Sequence, residues 1–301
     1  AQVTGCRNIE ELGGLMRRMP QTGACFLIGS AAISGLPPFN GFVSEFLIYT
    51  AALLALIRTP AALAFPALVV VGALALIGGL AAACFVKIFG IVFLGAPRSA
   101  AAEAAHECRR PMRAAMLVLA LCCAGIAMLA PWIAPALFRA VAVIIGAPAI
   151  QADQVMPIQT VLVWVSAGAA AFWALSLIAS VLRRVFWRGR KVARTVTWDC
   201  GYTAPSSRMQ YTASSFVQPV IRLFGRILRV CVHAQPPEGF FPNQAKFEMH
   251  AGDTADRYIF RPLFQTVACL LARLRWLQEG RVQIYVLYIA VTLLVLLLFA
   301  L

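Results

Sequence analysis

Long apolar runs alternate with short polar segments along most of the chain, and most of these runs are long enough to cross a bilayer. They are rich in Ala, Leu, Val and Ile and lack the strict alternation of barrel strands, so they predict helices of about 20 residues. The runs cover residues 22–36, 42–57, 61–94, 112–138, 158–182 and 282–301. The first is short, about 15 residues, which predicts a tilted helix or one packed within protein. Residues 140–150 either extend the fourth helix or lie on the surface.

A break separates the first two runs and is followed by an acid. The stretch reads SGLPPFNGFVSEF, in which Glu45 is the acid. The helix-breaking residues are Pro37, Pro38, Asn40 and Gly41. Irregular backbone at membrane depth is tolerated only where protein or a water-filled cavity satisfies its polar groups. The break therefore predicts a discontinuous helix region through which protons or other ions pass.

Glu45 has two interpretations. An acid within the hydrocarbon region costs about 2.5–3.5 kcal/mol on insertion scales, so its presence favours a function in ion translocation. Alternatively, Glu45 caps the restarted helix, because an acid in the first turn offsets the positive end of the helix dipole. Glu45 lies four residues after Gly41, which fits a position close to that helix start.

Lys87 is a cation inside the third apolar run and is a second candidate for ion translocation. Seven apolar residues separate it from Gly95, so its Cα lies about 10 Å from the boundary at 1.5 Å per residue. A lysine stem can extend that far, and Lys87 then reaches the interface or a structural ion pair. In the other interpretation it is a functional base within the membrane.

The region of residues 183–281 is polar and contains two amphipathic segments. In 216–231 apolar residues fall on one helical face and arginines on the other, which predicts an interfacial helix or one that docks on a partner. Residues 262–277 form a second such candidate, and 235–256 is predicted as a loop. The predicted organisation is a transmembrane core over 1–182 with five crossings, a cytoplasmic or interfacial region over 183–281, and a final transmembrane helix over 282–301.

Composition agrees with a membrane protein and charge predicts its orientation. Hydrophobic residues make up 61% of the 301 and charged residues 13%, and the mean hydropathy is +0.81. The formal net charge is +14, with 26 Lys and Arg. If each run crosses once, most of these cations share the side of 98–113 and 183–281, which the positive-inside rule places in the cytoplasm. The other side then holds Arg7, Arg17, Arg18, Arg58 and Arg139.

Cysteine and histidine are scattered, so the sequence predicts neither a metal site nor a cofactor site in this chain. The nine cysteines include no CxxC pair, and the three histidines lie in loops. The basic segments are not interleaved with aromatic residues in a nucleic-acid-binding pattern, so nucleic acid is not expected as a partner. Residues 1–20 lack an initiator Met and the features of a signal peptide, and are predicted to be a loop of a larger protein.

Two stretches resemble the discontinuous-helix region of the proton-conducting, antiporter-like membrane subunits: LGGLMRRMP at 12–20 and FLIGSAAISGLPPFNGFVSEFLIY at 26–49. Further stretches most resemble the large antiporter-like subunit of hydrogenase-4 and formate hydrogenlyase complexes. They are FVKIFGIVFLGAPRS (85–99), TWDCGY (197–202), MQYTASSFVQPVIRLF (209–224) and LQEGRVQIYVLYI (277–289).

The resemblance implies a multi-pass subunit of the bacterial inner membrane, matching the last four core crossings of such subunits plus two additional helices. It implies that Glu45 is the terminal ionisable residue of a half-channel. The partners would be other membrane and peripheral subunits, and these would carry the redox sites. Three alternatives stay open. The first is a subunit of NADH-quinone oxidoreductase or of a multisubunit cation/proton antiporter, which should lack TWDCGY. The second is a non-conducting membrane scaffold, and the third is the product of a gene interrupted by truncation.

Overall fold

The computed structural model describes residues 2–58, 60–144, 146, 152–190, 204, 206–235, 239, 246–250, 252–273 and 282–300. It divides into two compact units, Ala1–Phe216 and Val217–Leu301. The prediction of a polytopic helical membrane protein is confirmed, because five helices among the described residues are long and apolar enough to span a bilayer. The TWDCGY segment and residues 277–281 lie outside the described residues.

The first unit is a helical bundle. Its helices are α1 (Leu15–Arg18), α2 (Pro20–Ile33), α3 (Asn40–Arg58), α4 (Ala61–Phe93), α5 (Ala100–Glu103), α6 (Arg110–Ile144) and α7 (Ala152–Phe186), followed by the first residues of α8 (Ala213–Leu228). Helix α4 continues through Pro66. Helix α6 continues past Arg139, so of the two interpretations of residues 140–150, the helical extension is confirmed as far as Ile144.

Helices α2 and α3 lie end to end and form one discontinuous path across the bundle. Phe26 of α2 packs against Phe93 near the end of α4, with 5.1 Å between ring centroids. Val43 of α3 packs farther along the bundle, against Ala127 and Ala130 of α6. The two helices have 14 and 19 residues, and α4 alone has 33. The runs 22–36 and 42–57, predicted as separate crossings, are therefore two halves of one.

This arrangement places the amino-terminal segment at the same end of the bundle as the loop between α4 and α6. The Gly14 N–H donates to the Leu94 carbonyl at 2.9 Å, and Leu12 and Leu15 share a buried cluster with Val92 and Phe93. The prediction that Arg7, Arg17 and Arg18 lie opposite that loop is wrong. It failed because the break was counted as a reversal of the chain.

Small residues let α6 and α7 approach closely at the bundle centre. Leu162 of α7 is buried against Ala127, Ala130 and Ala134 of α6. Pro131 within α6 has no N–H, so the carbonyl four residues earlier, that of Ala127, loses its helical partner. The Ser166 hydroxyl of α7 donates to that carbonyl at 3.0 Å. Ser166 therefore joins two helices.

Among its described residues, the second unit contains the end of α8, two strands, the π-helix Asp256–Phe260 and two α-helices. Strand β1 (Cys231–Gln235) pairs antiparallel with β2 (Lys246–His250), and α9 (Arg261–Ala272) and α10 (Val282–Ala300) follow. The loop prediction for 235–256 is wrong at β2. Helices are confirmed at both predicted amphipathic segments, in α8 and α9, although residues 274–277 of the second segment lie outside the described residues.

Candidate ion-translocation site

The break begins where glycine ends α2. Gly35 has a φ of +64°, in the left-handed region that glycine adopts readily. Its N–H donates to the Ala32 carbonyl at 3.2 Å, and the Leu36 N–H donates to the Ala31 carbonyl at 3.1 Å. These two bonds form a Schellman motif, which satisfies carbonyl groups that the end of a helix leaves open. Helix α2 therefore ends in an ordered motif at the break.

The helix restarts at Asn40 against the end of α2. A Cβ added to Gly41 would overlap the Ala32 carbonyl oxygen, so the two helix ends approach more closely than any larger residue would allow. The Ser44 hydroxyl donates to the Gly41 carbonyl at 2.9 Å within the first turns of α3. The absence of a side chain at Gly41 therefore allows the ends of α2 and α3 to pack against each other.

The Glu45 carboxylate lies against the break. A Cβ built on Gly35 would be 2.6 Å from Glu45 Cδ and 2.8 Å from Oε1, and one built on Gly78 of α4 would be 3.9 Å from Oε2. Gly35 thus leaves the space that the carboxylate occupies, and Gly78 of α4 lies at ordinary contact distance from it. Among the residues that the structure describes, none forms a hydrogen bond or an ion pair with this carboxylate.

Glu45 does not cap α3. The helix starts at Asn40 and its first turn contains no acidic residue, so Glu45 lies beyond the turn whose N–H groups need partners. The capping interpretation is wrong because it assumed a start nearer to Glu45.

Three further polar atoms near the break lack partners among the described residues. They are Ser30 Oγ of α2, Asn40 Oδ1 at the start of α3, and Nε1 of Trp173 in α7, whose ring lies 5.7 Å from that of Phe39 between centroids. Buried polar atoms are usually paired, because leaving one unsatisfied costs about 1–3 kcal/mol. Together with Glu45, they make the break the polar centre of an otherwise apolar bundle.

The structure does not bring Lys87 to Glu45. Lys87 lies nine residues after Gly78 on α4, which corresponds to about 13.5 Å along the axis and half a turn around it. Its side chain lines a different cavity together with Arg98 and Gln210. This cavity lies near the end of the unit that holds Arg17, Arg18 and Arg98, which we call the basic end. This position supports the interpretation in which the lysine stem extends toward the membrane boundary.

Two glutamates stabilise the basic end of the first unit, and neither was predicted from the sequence. Glu107 accepts hydrogen bonds from the Gln21 N–H at 2.6 Å and the Thr22 hydroxyl at 2.8 Å, and so caps α2. Glu10 accepts from the Ser214 N–H at 3.0 Å in the first turn of α8, and pairs with Arg98 at 3.4 Å. These contacts join residues far apart in sequence, so no local signal could have revealed them.

Among the described residues, no group of three or more His, Cys, Asp or Glu side chains is placed to hold a metal ion. At the helix break, the carboxyl group of Glu45 can bind a proton, or accept hydrogen bonds when it is ionised.

Residues 1–70 match the model of a family described as NADH:quinone oxidoreductase/Mrp antiporter, TM. The chain is 33% identical over 300 residues to hydrogenase-4 component B of Escherichia coli (strain K12), covering 96% of this chain and 44% of that protein. The predicted resemblance to antiporter-like membrane subunits is confirmed. The matched residues include the break, Glu45 and the start of α4.

Formate hydrogenlyase subunit 3 of the same organism is 34% identical over 237 residues, which is 75% of this chain and 36% of that protein. A solved structure, that of the membrane-bound sulfane sulfur reductase, an archaeal respiratory membrane complex, aligns with 17% identity and a TM-score of 0.48, over 98% of this chain and 43% of that one. The chain spans less than half the length of each of these proteins.

Proposed function

We propose that this chain is a proton-translocating, antiporter-like subunit of a hydrogenase-4 or formate hydrogenlyase type complex in the bacterial inner membrane. The observation that carries the proposal is the Glu45 carboxylate, which lies at the break of a discontinuous helix without a partner among the described residues. The similarity to hydrogenase-4 component B supports the class of complex. Other membrane and peripheral subunits would be its partners and would supply the redox chemistry.

Glu45 would act as the proton-exchanging group of the path. An ionisable residue within a transmembrane helix marks ion pathways and proton relays, and a carboxyl group without a fixed partner changes its protonation as nearby charge changes. The unpaired atoms Ser30 Oγ and Asn40 Oδ1 would help water to reach the break, since each can hydrogen-bond to it. Gly35 would keep the space around the carboxylate open.

Lys87 would contribute less to this path than Glu45. It lies on the opposite face of α4 from Gly78 and nearer to the basic end. Replacing Glu45 removes the exchangeable proton itself, whereas replacing Lys87 removes a charge that is about 13.5 Å away along the helix.

The test is the replacement Glu45→Gln in the complete complex, measured as protons pumped per electron transferred. Gln keeps the size of Glu but cannot release a proton, so we expect pumping to be lost while the complex still assembles. Glu103→Gln is the matched control, because Glu103 is exposed in α5 at the basic end.

Lys87→Met in the same assay should reduce pumping less than Glu45→Gln does. An unchanged proton-to-electron ratio in Glu45→Gln would refute the proposed function and favour the scaffold alternative. A loss in Lys87→Met equal to or greater than that in Glu45→Gln would show that the path runs through Lys87 instead.

A further inference from the structure

A cavity of about 450 Å³ lies in the first unit beside the last turns of α4. Its lining combines cationic and polar side chains with apolar and aromatic ones: Lys87, Gly90, Ile91, Arg98, Gln210, Tyr211 and Phe216. The helix ends at Phe93, six residues after Lys87, so Lys87 lies about 9 Å from that end along the axis. The cavity is thus close to the membrane boundary at the basic end.

Among the described residues, the charges around this cavity leave one cation without a partner. Arg98 pairs with Glu10 at 3.4 Å and donates to the Tyr211 carbonyl at 2.6 Å. Glu10 therefore offsets the charge of Arg98. Within the described part of the chain, the Lys87 ammonium has no hydrogen-bond or ion-pair partner. Counted over the described residues, the cavity lining consequently carries a net positive charge.

The polar wall of the cavity is held in place by further bonds. The Gln210 side chain accepts from the Ala96 N–H at 2.9 Å and donates to the Ala96 carbonyl at 3.3 Å. The Nε of Arg98 is buried and has no partner among the described residues, and the Arg98 side chain is 12% exposed. Arg98 and Gln210 are thus held by bonds to the protein, and among the described residues that line the cavity Lys87 is the cation without a partner.

We propose that this cavity binds the phosphate group of an anionic phospholipid, with Lys87 as its direct ligand. Basic pockets between transmembrane helices on the cytoplasmic side are suited to acidic headgroups. The apolar side chains Ile91 and Phe216 would contact the glycerol and the start of an acyl chain. Val86 and Leu94, which flank the site on the chain, are 60% and 50% exposed, as expected for a surface that faces lipid. A lipid reaches such a site through the bilayer, whereas a soluble phosphate must leave water.

The test is native mass spectrometry of the full chain, purified in an uncharged detergent and mixed with dioleoylphosphatidylglycerol. We expect one molecule to be retained in preference to dioleoylphosphatidylcholine. Lys87→Met should lower retention by about fivefold, because a cation near a membrane surface contributes about 1 kcal/mol to binding an anionic lipid. Lys87→Arg should retain the lipid.

Two further variants keep the test independent of folding defects. Gly90→Leu leaves Lys87 in place but fills the cavity, since a Cβ on Gly90 meets no atom within 4 Å, and it should also lower retention. Arg139→Met removes an exposed cation of α6 far from the cavity and should retain the lipid. Circular dichroism is used to check that each variant keeps the helical content of the unmodified chain.

Three outcomes would overturn the proposal. The first is equal retention of phosphatidylglycerol by the unmodified chain, Lys87→Met and Gly90→Leu. The second is equal retention of phosphatidylcholine, which would show that the negative charge is not recognised. The third is complete displacement of the lipid by glycerol 3-phosphate at similar concentration, which would identify the ligand as a soluble phosphate.

Discussion

At the scale of single residues, glycine determines where the Glu45 carboxylate lies. Gly35 has a positive φ, and it also lacks the Cβ that would collide with Glu45. The same residue therefore ends α2 and leaves room for the acid of α3. Proximity in the fold, rather than in sequence, makes Gly35 part of the proposed translocation site.

Gly35→Ala tests this double role. An L-residue in the left-handed region costs roughly 1–2 kcal/mol, and the new methyl group would displace the Glu45 carboxylate. We expect a loss of stability of about that size and a loss of pumping approaching that of Glu45→Gln. Pumping is measured in the complete complex and stability by titration with a denaturing detergent.

Gly29→Ala is the matched control. Gly29 lies within α2, and a Cβ there meets no atom within 4 Å, so the change should be neutral or stabilise the helix by up to about 1 kcal/mol. Normal pumping by Gly35→Ala would show that the carboxylate can work from another position.

At the scale of helices, the bond from Ser166 to the Ala127 carbonyl compensates for a proline. Pro131 removes the donor that would normally bond to this carbonyl, and α7 supplies the replacement at a point where both helices are buried. The bond stabilises α6 and also fixes the register between α6 and α7. Helices within membranes depend on such neighbours where proline interrupts the backbone bonds.

Ser166→Ala should therefore destabilise the bundle. Hydrogen bonds between membrane helices contribute about 0.6 kcal/mol on average and at most about 1.7 kcal/mol. The bond from Ser166 should lie toward the upper value, because its loss leaves the buried Ala127 carbonyl without a hydrogen-bond donor. We expect a loss of about 1–1.5 kcal/mol in the unfolding free energy. This free energy is measured by circular dichroism during a titration with denaturing detergent.

Ser180→Ala provides the comparison, because the Ser180 hydroxyl is exposed and bonds within α7 to the Ser176 carbonyl at 2.7 Å. Its loss should change stability by less than about 0.5 kcal/mol. Equal effects of the two changes would mean that the bond between helices contributes nothing specific.

The sequence predicted most of the helices but not their directions. Apolar runs indicate helix positions because burial in lipid requires them, and α7 was predicted as 158–182 against Ala152–Phe186 in the structure. A break such as that at Pro37 and Pro38 fits either a reversal or an in-line restart, since both interrupt the helix pattern equally. Only contacts such as those of Phe26 and Val43 distinguish the two.

The candidate site was predicted in part. Glu45 and the break were visible because an acid among apolar residues is conspicuous. The role of Gly35 in leaving room for the carboxylate depends on distances between helices, which a local pattern does not contain. The same reason hid Glu10 and Glu107, whose partners Ser214 and Gln21 lie 204 and 86 residues away.

At the scale of the whole molecule, the in-line arrangement of α2 and α3 increases the difference in positive charge between the two ends of the first unit. Arg17 and Arg18 now share an end with Arg98 and Arg113, because the segment before α2 packs against the end of α4. Helix α7 runs antiparallel to α6 and brings Arg183 and Arg184 to this end as well. Among the described residues of the first unit, the opposite end keeps Arg58 and Arg139.

This asymmetry predicts that the basic end faces the cytoplasm. In a variant whose native cysteines are replaced by serine, Glu103→Cys reports the basic end and Arg139→Cys the opposite end, and both positions are exposed. A membrane-impermeant maleimide added to intact cells with a permeable outer membrane should label Arg139→Cys and leave Glu103→Cys unlabelled until the inner membrane is opened. The reverse pattern would invert the proposed orientation. Labelling of both positions from one side would contradict α6 as a membrane crossing, since α6 begins after Glu103 and contains Arg139 in its last two turns.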